Sequence, residues 1–386
     1  MLGDLAVWKQ VANDHTLLER AASVDASDVA AVASLRKSAS AEAVAVALQL
    51  AAARAKAVEK FGERGRSLVA DVAGVEQASG GAVAAYKAKR IRYSLGGAGR
   101  IADLCCGIGG DSMAMVGQGL DVLPVDREPL RVWMTESNTH HLAKALCADV
   151  EQLRMVGKAI HIDPARRDES AGRRSWRLED YQPGPDVIGG LIDAAPAAAV
   201  KLSPGVDVEA LPRPGEVEFI SDRGRLVQCV LWAGAFAQGK RRATRLDGDE
   251  VRVLSGEPHG VPIGDIDRYL YTFDPAVERA ELIGQLCDAV DAPAVHPKLG
   301  LLTSDRVIDS PWLTGFAFIE RLPWRPKRVK QWLAAHDGGL VEVKTRGKAC
   351  DPDREQQRLR GDGATGYTVF VLRFETKVQA LITTRA

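Results

Sequence analysis

The sequence lacks an excess of charge of either sign. Lys and Arg number 51, as do Asp and Glu, so the formal net charge is zero. This balance excludes a chain that binds nucleic acid over its whole surface, and only local basic clusters can support such binding. The 386 residues, 46% of them hydrophobic, are enough for two or three globular domains.

Cysteine pairs and long hydrophobic runs are also missing. None of the six cysteines forms a Cys-x-x-Cys pair or stands at a zinc-like spacing from a histidine. We therefore expect no metal site and a reducing, cytoplasmic environment.

Asp4 and the lack of a basic N-terminal stretch argue against a signal peptide. No run reaches about 18 strongly apolar residues, so we expect no membrane span. The pattern does not indicate an oligomeric state.

Residues 1–97 are predicted to form a helical N-terminal domain. Proline is absent before Pro124, and the apolar residues of 41–61 recur at helical spacing. Arg54, Lys56 and Lys60 interrupt that apolar pattern. These cations indicate either a solvated helix face or a surface that carries nucleic acid toward a catalytic domain.

Residues 98–257 alternate short apolar runs with helix-length segments, which predicts a parallel, doubly wound α/β sheet. We expect helices at 112–119 and 130–142. The expected strands are 101–104, 122–125, 159–162, 198–202, 216–220, 226–232 and 244–254. Residues 258–323, with prolines from Pro258 to Pro297, are predicted to be a linker, irregular insert or β extension. Residues 324–386 are predicted to form a small α/β module, with a helix at 329–335 and strands at 340–344, 367–374 and 380–384.

A glycine-rich turn follows the first predicted strand, in the segment Asp-Leu-Cys-Cys-Gly-Ile-Gly-Gly-Asp of residues 103–111. Glycines allow a tight turn and a close approach of the backbone to a ligand, and the next helix directs its free N–H groups at an anion. A dinucleotide site is the competing interpretation, but its fingerprint requires a third glycine where this chain has Ser112.

Acidic residues at successive strand ends decide between the two ligands. Asp103, Asp126, Asp149 and Asp163 are interpreted as standing at four successive strand ends, where the crevice of an open α/β sheet lies. Such acids suit an ammonium group, ribose hydroxyls and an adenine amine, which predicts S-adenosylmethionine (SAM) as cofactor. The predicted cofactor residues are Asp103, Cys105, Gly107, Gly109, Gly110, Asp111, Asp126 and Asp149.

The glycine-rich segment resembles motif I of class I SAM-dependent methyltransferases, and is most similar to the trimethylguanosine-synthase-like and RNA-modifying branches. The chain also contains Asp-Pro-Ala-Arg at 163–166, Lys-Leu-Ser-Pro-Gly at 201–205 and a basic tail. This order of motifs after a helical front resembles bacterial SAM-dependent methyltransferases with a THUMP-like C-terminal domain. The resemblance implies a Rossmann-like class I fold, a THUMP-like RNA-binding module at 324–386 and an RNA-like substrate.

The predicted target side of the cleft contains the catalytic candidates Asp163, Pro164 and Arg166, with Arg167 and Lys201 as substrate contacts. Methyltransferases that act on base amines usually have an aromatic residue at this step, and this chain has none there. Residues 201–205 lack the cysteine nucleophile that carbon methylation of pyrimidines requires. We therefore expect N-methylation, which needs the methyl group held in line with a nitrogen lone pair. His161, between two isoleucines, is expected to be a core residue.

Basic residues with nearby aromatic residues favour RNA as the partner. One group is the loop with Arg173, Arg174, Trp176, Arg177 and Tyr181. The other is Lys327, Arg328 and Lys330 between Trp324 and Trp332. The expected function is N-methylation of an RNA base. Methylation of a small metabolite or protein is an alternative, and so is a catalytically silent RNA-binding protein that retains the fold.

Overall fold

The computed structural model describes residues 4–153, 158–166 and 177–386. The chain divides into two compact units. The first consists of Met1–Asp222, Val227–Lys240 and Leu246–Glu250, and the second of Arg223–Leu226, Arg241–Arg245 and Val251–Ala386. No helix in the described ranges combines the length and the apolarity that crossing a bilayer requires.

Six α-helices precede the first strand, as the alanine-rich, proline-free sequence predicts. They are α1 (Leu5–Ala12), α2 (His15–Ala22), α3 (Val29–Leu35), α4 (Ala41–Phe61), α5 (Val72–Gln77) and α6 (Gly81–Ser94). Side chains of Asp14, Asp28 and Ser40 accept from the first free N–H groups of α2, α3 and α4. Helix α4 buries Val44 and Leu50 in a core that also contains Trp8.

The α/β part of the chain follows in strict alternation at first. Its elements are β1 (Arg100–Leu104), α7 (Gly110–Gly117), β2 (Asp121–Asp126), α8 (Pro129–Asn138), β3 (Leu146–Cys147), β4 (Ala159–Ile162), β5 (Ala165–Arg166), β6 (Tyr181–Gln182), α9 (Pro185–Ala194), β7 (Ala197–Leu202), β8 (Glu216–Asp222), β9 (Arg225–Gly234), β10 (Arg241–Asp247) and β11 (Glu250–Gly256).

Nine of these strands form one sheet in the order β11-β10-β8-β9-β7-β4-β1-β2-β3, and β5 pairs with β6 separately. The run from β7 to β3 is parallel, and β9 is antiparallel to β7. The chain leaves β1 toward β2 on one side and later returns to β4 on the other. Such a switch point opens a crevice beyond the carboxyl ends of the strands. The predicted α/β fold class is confirmed.

The second unit contains a six-stranded sheet in the order β13-β12-β14-β17-β16-β15. Strands β15 and β16 are parallel, and the other pairs are antiparallel. Its elements are β12 (Tyr269–Phe273), α10 (Pro275–Arg279), α11 (Ile283–Val290), β13 (Leu301–Ser304), β14 (Leu313–Pro323), α12 (Pro326–Ala335), β15 (Gly338–Thr345), α13 (Pro352–Leu359), β16 (Thr365–Phe374) and β17 (Lys377–Arg385).

Two predictions of local structure are wrong. The single strand expected at 244–254 is a hairpin of β10 and β11, which turns at Gly248 with φ of 61°. The irregular chain expected from Pro258 to Pro297 contains β12, α10 and α11. Pro275 stands at the first position of α10, where the missing N–H costs nothing, so proline marks a helix start here.

Candidate functional site

A cavity of about 830 Å³ lies in the first unit, at the carboxyl edge of the parallel strands. The residues that line it lie more than a hundred positions apart in the sequence, from Glu59 to Gln228. The predicted site residues that line it are Asp103, Cys105, Gly107, Gly110, Asp111, Asp126, Asp149, Asp163, Pro164 and Lys201. The four acids expected to follow four strands therefore share one cavity.

Some predicted residues lie elsewhere. Gly109 caps α7, and a Cβ there would come within 2.9 Å of the Thr135 side chain, so its role is helix packing. The backbone of Arg166 lies in β5, paired with Tyr181 of β6. Arg167, Arg173, Arg174 and Trp176 fall outside the described residues. Lys327, Arg328 and Lys330 are exposed at the start of α12 in the second unit.

The glycine turn has the backbone that its sequence predicts. Gly107 adopts a φ of 58°, and a Cβ added there would meet no atom within 4 Å. The turn thus opens a space beside the backbone that a ligand can fill. Cys105 has a φ of 59° without the freedom of glycine, which costs about 1–2 kcal/mol. Strain of this kind is often retained at functional sites.

Asp126, at the end of β2, bonds to the glycine turn and to the segment that leads into α8. One carboxylate oxygen accepts from the Gly107 N–H at 2.9 Å, and the other accepts from the Glu128 N–H at 3.0 Å. Each oxygen keeps further acceptor capacity toward the cavity. Burial raises the pKa of Asp126, although the two backbone N–H groups oppose that rise.

A buried network of charged side chains lies against the glycine turn. Lys87 of α6 is only 1% exposed. Its ammonium donates to Asp111 Oδ1 at 2.8 Å and to Ser79 Oγ at 3.1 Å, and lies 3.2 Å from His161 Nε2. Burial alone would raise the pKa of Asp111, but the charge of Lys87 holds it well below its usual range. The expected core position of His161 is confirmed, since it is fully buried.

The network also fixes the proton of His161. An ammonium group only donates, so the Nε2 atom that faces Lys87 must accept. The proton is then on Nδ1, which donates to Asp103 Oδ1 at 2.7 Å. Ser112 Oγ donates to the other Asp103 oxygen at 2.5 Å. The network places two carboxyl groups, those of Asp103 and Asp111, around a single ammonium group, that of Lys87. A cation is therefore the ligand that this wall of the cavity suits.

Asp163 and Lys201 form a second charged pair in the cavity wall. The Lys201 ammonium donates to Asp163 Oδ2 at 2.7 Å and to the Gln77 carbonyl at 2.7 Å. Asp163 follows β4 and Lys201 lies in β7, the next strand of the sheet. The Lys201 ammonium thus holds the Asp163 carboxylate in place and links it to Gln77 at the end of α5.

The N-terminal helices form part of the cavity wall, which the sequence analysis did not find. Lys60 of α4 donates to the carbonyls of Val75 and Glu76 at 2.7 and 2.8 Å. Burial and the nearby Lys201 charge lower the pKa of Lys60 to about 8. Ser79 also lines the cavity, and Lys87, which is not itself a lining residue, donates to the Ser79 hydroxyl. The helical periodicity of the sequence does not predict these buried positions, because a lysine on a helix is normally solvated.

Two adjacent cysteines, Cys105 and Cys106, line the cavity, and both have raised thiol pKa values. Burial raises the pKa of Cys105, and the charges of Asp126 and Asp163 raise it further. Burial and the charge of Asp103 likewise raise the pKa of Cys106. A raised thiol pKa disfavours the thiolate, which is the reactive form of cysteine.

Relatives of the chain carry a consistent description. Two uncharacterized S-adenosylmethionine-dependent methyltransferases of Mycobacterium tuberculosis, from strains CDC 1551 / Oshkosh and H37Rv, are each 34% identical to it over 310 residues. Each match covers 78% of this chain and 83% of the relative. The chain belongs to this family of SAM-dependent methyltransferases.

Two further comparisons agree with this membership. The THUMP domain-like family matches residues 313–385 of the methyltransferase. A crystal structure of a protein from Porphyromonas gingivalis W83, assigned there as a methyltransferase, has 18% identity and a TM-score of 0.73 over the whole of both chains. This likeness shows a shared fold. The methyltransferase therefore combines a class I core with a THUMP-like C-terminal module, as its motifs predict.

The cavity of the methyltransferase fits its cofactor. The open space beside Gly107, the first turn of α7 and the carboxylates along the strand ends form a cradle for a small, polar cation. SAM carries a sulfonium group, and its chemical contribution is an activated methyl group.

Proposed function

We propose that this methyltransferase methylates a nitrogen atom of a base in RNA. The observation that carries the proposal is the cavity itself. It brings the Asp163–Lys201 pair beside the glycine turn and contains two cysteines whose thiol pKa values are raised. The THUMP domain-like match at 313–385 supports RNA as the substrate class.

The cofactor would extend along the strand ends from β3 to β1. In this arrangement Asp126 accepts from the ribose hydroxyls and Asp149 lies at the adenine. The N–H groups at the start of α7, near Gly110 and Asp111, face the carboxylate. Asp103, held by His161 and Ser112, faces the ammonium group. Gly107 and Cys105 complete the turn beneath.

The target nitrogen would enter on the side of β4 and β7. Asp163 accepts a hydrogen bond from the target amine and so orients the nitrogen lone pair toward the methyl group. When bound, SAM would supply the methyl group and leave as S-adenosylhomocysteine, and the proton released by the target nitrogen would pass to Asp163 or to solvent. Pro164 shapes this step of the cleft, and Lys201 holds the Asp163 carboxylate in place. Arg166 and Arg167 are proposed to contact the substrate.

Nitrogen is favoured over carbon because of the cysteines. Carbon methylation of a pyrimidine requires a thiolate that adds to the ring. The cysteines that line the cavity, Cys105 and Cys106, have pKa values raised by burial and by neighbouring carboxylates. Attack by an amine needs no covalent intermediate.

Transfer of labelled methyl from SAM tests the proposal against its alternatives. Incubation with total RNA, total protein and a small-molecule extract of the source cells should label the RNA fraction, in a base. Label in protein or in a metabolite would replace RNA with that substrate class. No label in any fraction, from folded protein that binds SAM, would favour the silent RNA-binding alternative.

Asp126→Asn should weaken SAM binding about tenfold or more, since a charged hydrogen bond to a hydroxyl is worth about 1.5–3 kcal/mol. Because burial raises the pKa of Asp126, wild-type affinity should fall on acidification at a higher pH than for an ordinary aspartate. The ionised form binds, so affinity is complete above that pKa and lost below it. Calorimetric titration with SAM across pH measures both effects. A lowered melting temperature of the ligand-free variant with unchanged SAM affinity would make Asp126 purely structural.

The basic start of α12 should contribute to RNA affinity. Replacing Lys327, Arg328 and Lys330 with Ala should flatten the dependence of log affinity on log salt by about 0.7 for each lost phosphate contact. SAM affinity should not change. A matched variant, with Arg360, Arg373 and Lys377 replaced by Ala, removes the same charge from other exposed positions of the second unit. Equal slopes for the two variants would show that α12 makes no specific contact.

A further inference from the structure

A second cavity in the first unit, of about 630 Å³, has a different composition from the cofactor cavity. We call it the cationic groove, and it lies between the N-terminal helices and α8. Its charged and aromatic lining residues are His15, Arg54, Arg66, Trp133, His140 and His141. None of the residues that line it is a carboxylate, within the ranges the structure describes. The cofactor cavity, by contrast, has ten acidic residues and four basic ones among its lining residues.

Arg54 is the innermost cation of the groove. Its Nε donates to the Leu68 carbonyl at 3.0 Å, which fixes the plane of the guanidinium. Within the described parts of the chain, no protein acceptor is found for its two Nη groups. Arg66 lies nearer the solvent, where it pairs with Glu63 at 2.7 Å. A fixed guanidinium with free terminal N–H groups is the donor arrangement that binds phosphate in bidentate fashion.

The turn after α8 presents two histidines to the same groove. His140 and His141 have φ values of 52° and 59°, so two consecutive residues with side chains adopt the left-handed conformation. Their backbone N–H groups donate to Ser137 and Glu136 carbonyls at 3.0 and 2.8 Å, which holds the turn. Strained backbone persists where the surrounding structure imposes it, and such positions are concentrated at ligand sites.

Helix α8 connects the groove with the cofactor cavity. It begins at Pro129, just beyond Asp126, and ends at Asn138, just before the two histidines. Ten helical residues span about 15 Å. The target side, at β4, lies two strands beyond β2, or about 10 Å further along the sheet. An extended strand of a few nucleotides can therefore contact the groove while its target base lies beside Asp163. The acidic lining of the cofactor cavity disfavours phosphates there, so the backbone of such a strand requires a basic surface outside it.

We propose that the cationic groove binds a phosphodiester of single-stranded RNA close to the methylated nucleotide. This inference rests on the proposed function. Arg54 and Arg66 pair with the phosphate, the imidazoles of His140 and His141 donate further hydrogen bonds, and Trp133 supplies an apolar surface beside the backbone. The N-terminal helices then have a role in substrate recruitment that is separate from the THUMP-like module.

Affinity for a single-stranded RNA oligonucleotide as a function of salt tests this site in the full-length protein. Arg54→Gln combined with Arg66→Ala should weaken binding about tenfold at low salt. It should also reduce the salt slope by about 0.7 per lost contact. SAM affinity should be unchanged. Arg64→Ala is the control for the change at Arg66, because Arg64 is exposed on the same short 3-10 helix but lies outside the groove.

A second variant and two competitors complete the test. His140→Asn with His141→Asn keeps residues that tolerate a left-handed backbone, and should weaken RNA binding while the melting temperature holds. Inorganic phosphate and AMP should displace the RNA no better than chloride at equal ionic strength; effective displacement would make the groove a small-anion site instead. If the wild-type protein methylates RNA but both groove variants keep its RNA affinity and its salt slope, the groove is not an RNA site and the proposed function still stands. A wild-type protein that neither binds nor methylates RNA would overturn the proposed function as well.

Discussion

Replacing Lys87 with methionine should lower the free energy of unfolding by about 3–5 kcal/mol. The Lys87 ammonium is 1% exposed and compensates two buried carboxylates, one directly at Asp111 and one through His161. Methionine has similar volume but no charge, so Asp111 and Asp103 would remain buried without a cation. Urea denaturation of wild type and variant measures the difference. SAM binding should weaken too, because the same network positions Asp103.

Lys89→Met is the matched control, since Lys89 is exposed on the same helix and its loss should change stability by less than about 0.5 kcal/mol. Adding Asp111→Asn to the Lys87 variant removes the uncompensated charge and should recover part of the loss, which a double-mutant cycle quantifies. If Lys87→Met unfolds within about 1 kcal/mol of the wild type, the network does not stabilise this region as described.

Asp163→Ala should reduce kcat by about 10²–10⁴ while leaving SAM affinity nearly unchanged. Asp163 lies beyond β4, on the target side of the cavity, and Lys201 holds its carboxylate at 2.7 Å. Its proposed contact is with the target amine rather than with the cofactor. Single-turnover methyl transfer to RNA, with SAM titrated separately, resolves the two effects.

Asp163→Asn refines the same test. The amide keeps the shape and one acceptor but loses the charge that pairs with Lys201, so its rate should fall between wild type and Asp163→Ala. Asp186→Ala, at an exposed position in the first turn of α9, serves as the control for charge loss. A SAM dissociation constant that rises as much as kcat falls would move Asp163 from the target side to the cofactor side.

The strand ends of the class I core were predictable from sequence because their signals are local. A short apolar run that ends in Asp or Gly fixes where a strand stops, and the crevice rule then places the residues that follow. Asp103, Asp126 and Asp163 were found in this way, and all three line the cavity. The glycine turn is equally local, since Gly107 needs a positive φ whatever surrounds it.

The rest of the site depends on contacts between distant segments. Lys87 and Asp111 are far apart in sequence and meet only when α6 packs beside α7. No periodicity distinguishes a lysine that will be buried from one that stays in water. The two tail tryptophans show the same difficulty. Trp324 and Trp332 are partly buried against the core of the second unit, and Trp332 also stacks on His336 with ring centroids 3.8 Å apart.

The central claim, N-methylation of an RNA base, is tested most directly by mass spectrometry of nucleosides. RNA from cells that lack this gene is compared with RNA from cells in which the intact gene is restored, and from cells with the Asp163→Ala variant. The account predicts that one base-N-methylated nucleoside disappears on deletion, returns with the intact gene and does not return with the variant. Loss of a carbon- or ribose-methylated nucleoside, or no change in any methylated nucleoside, would contradict it.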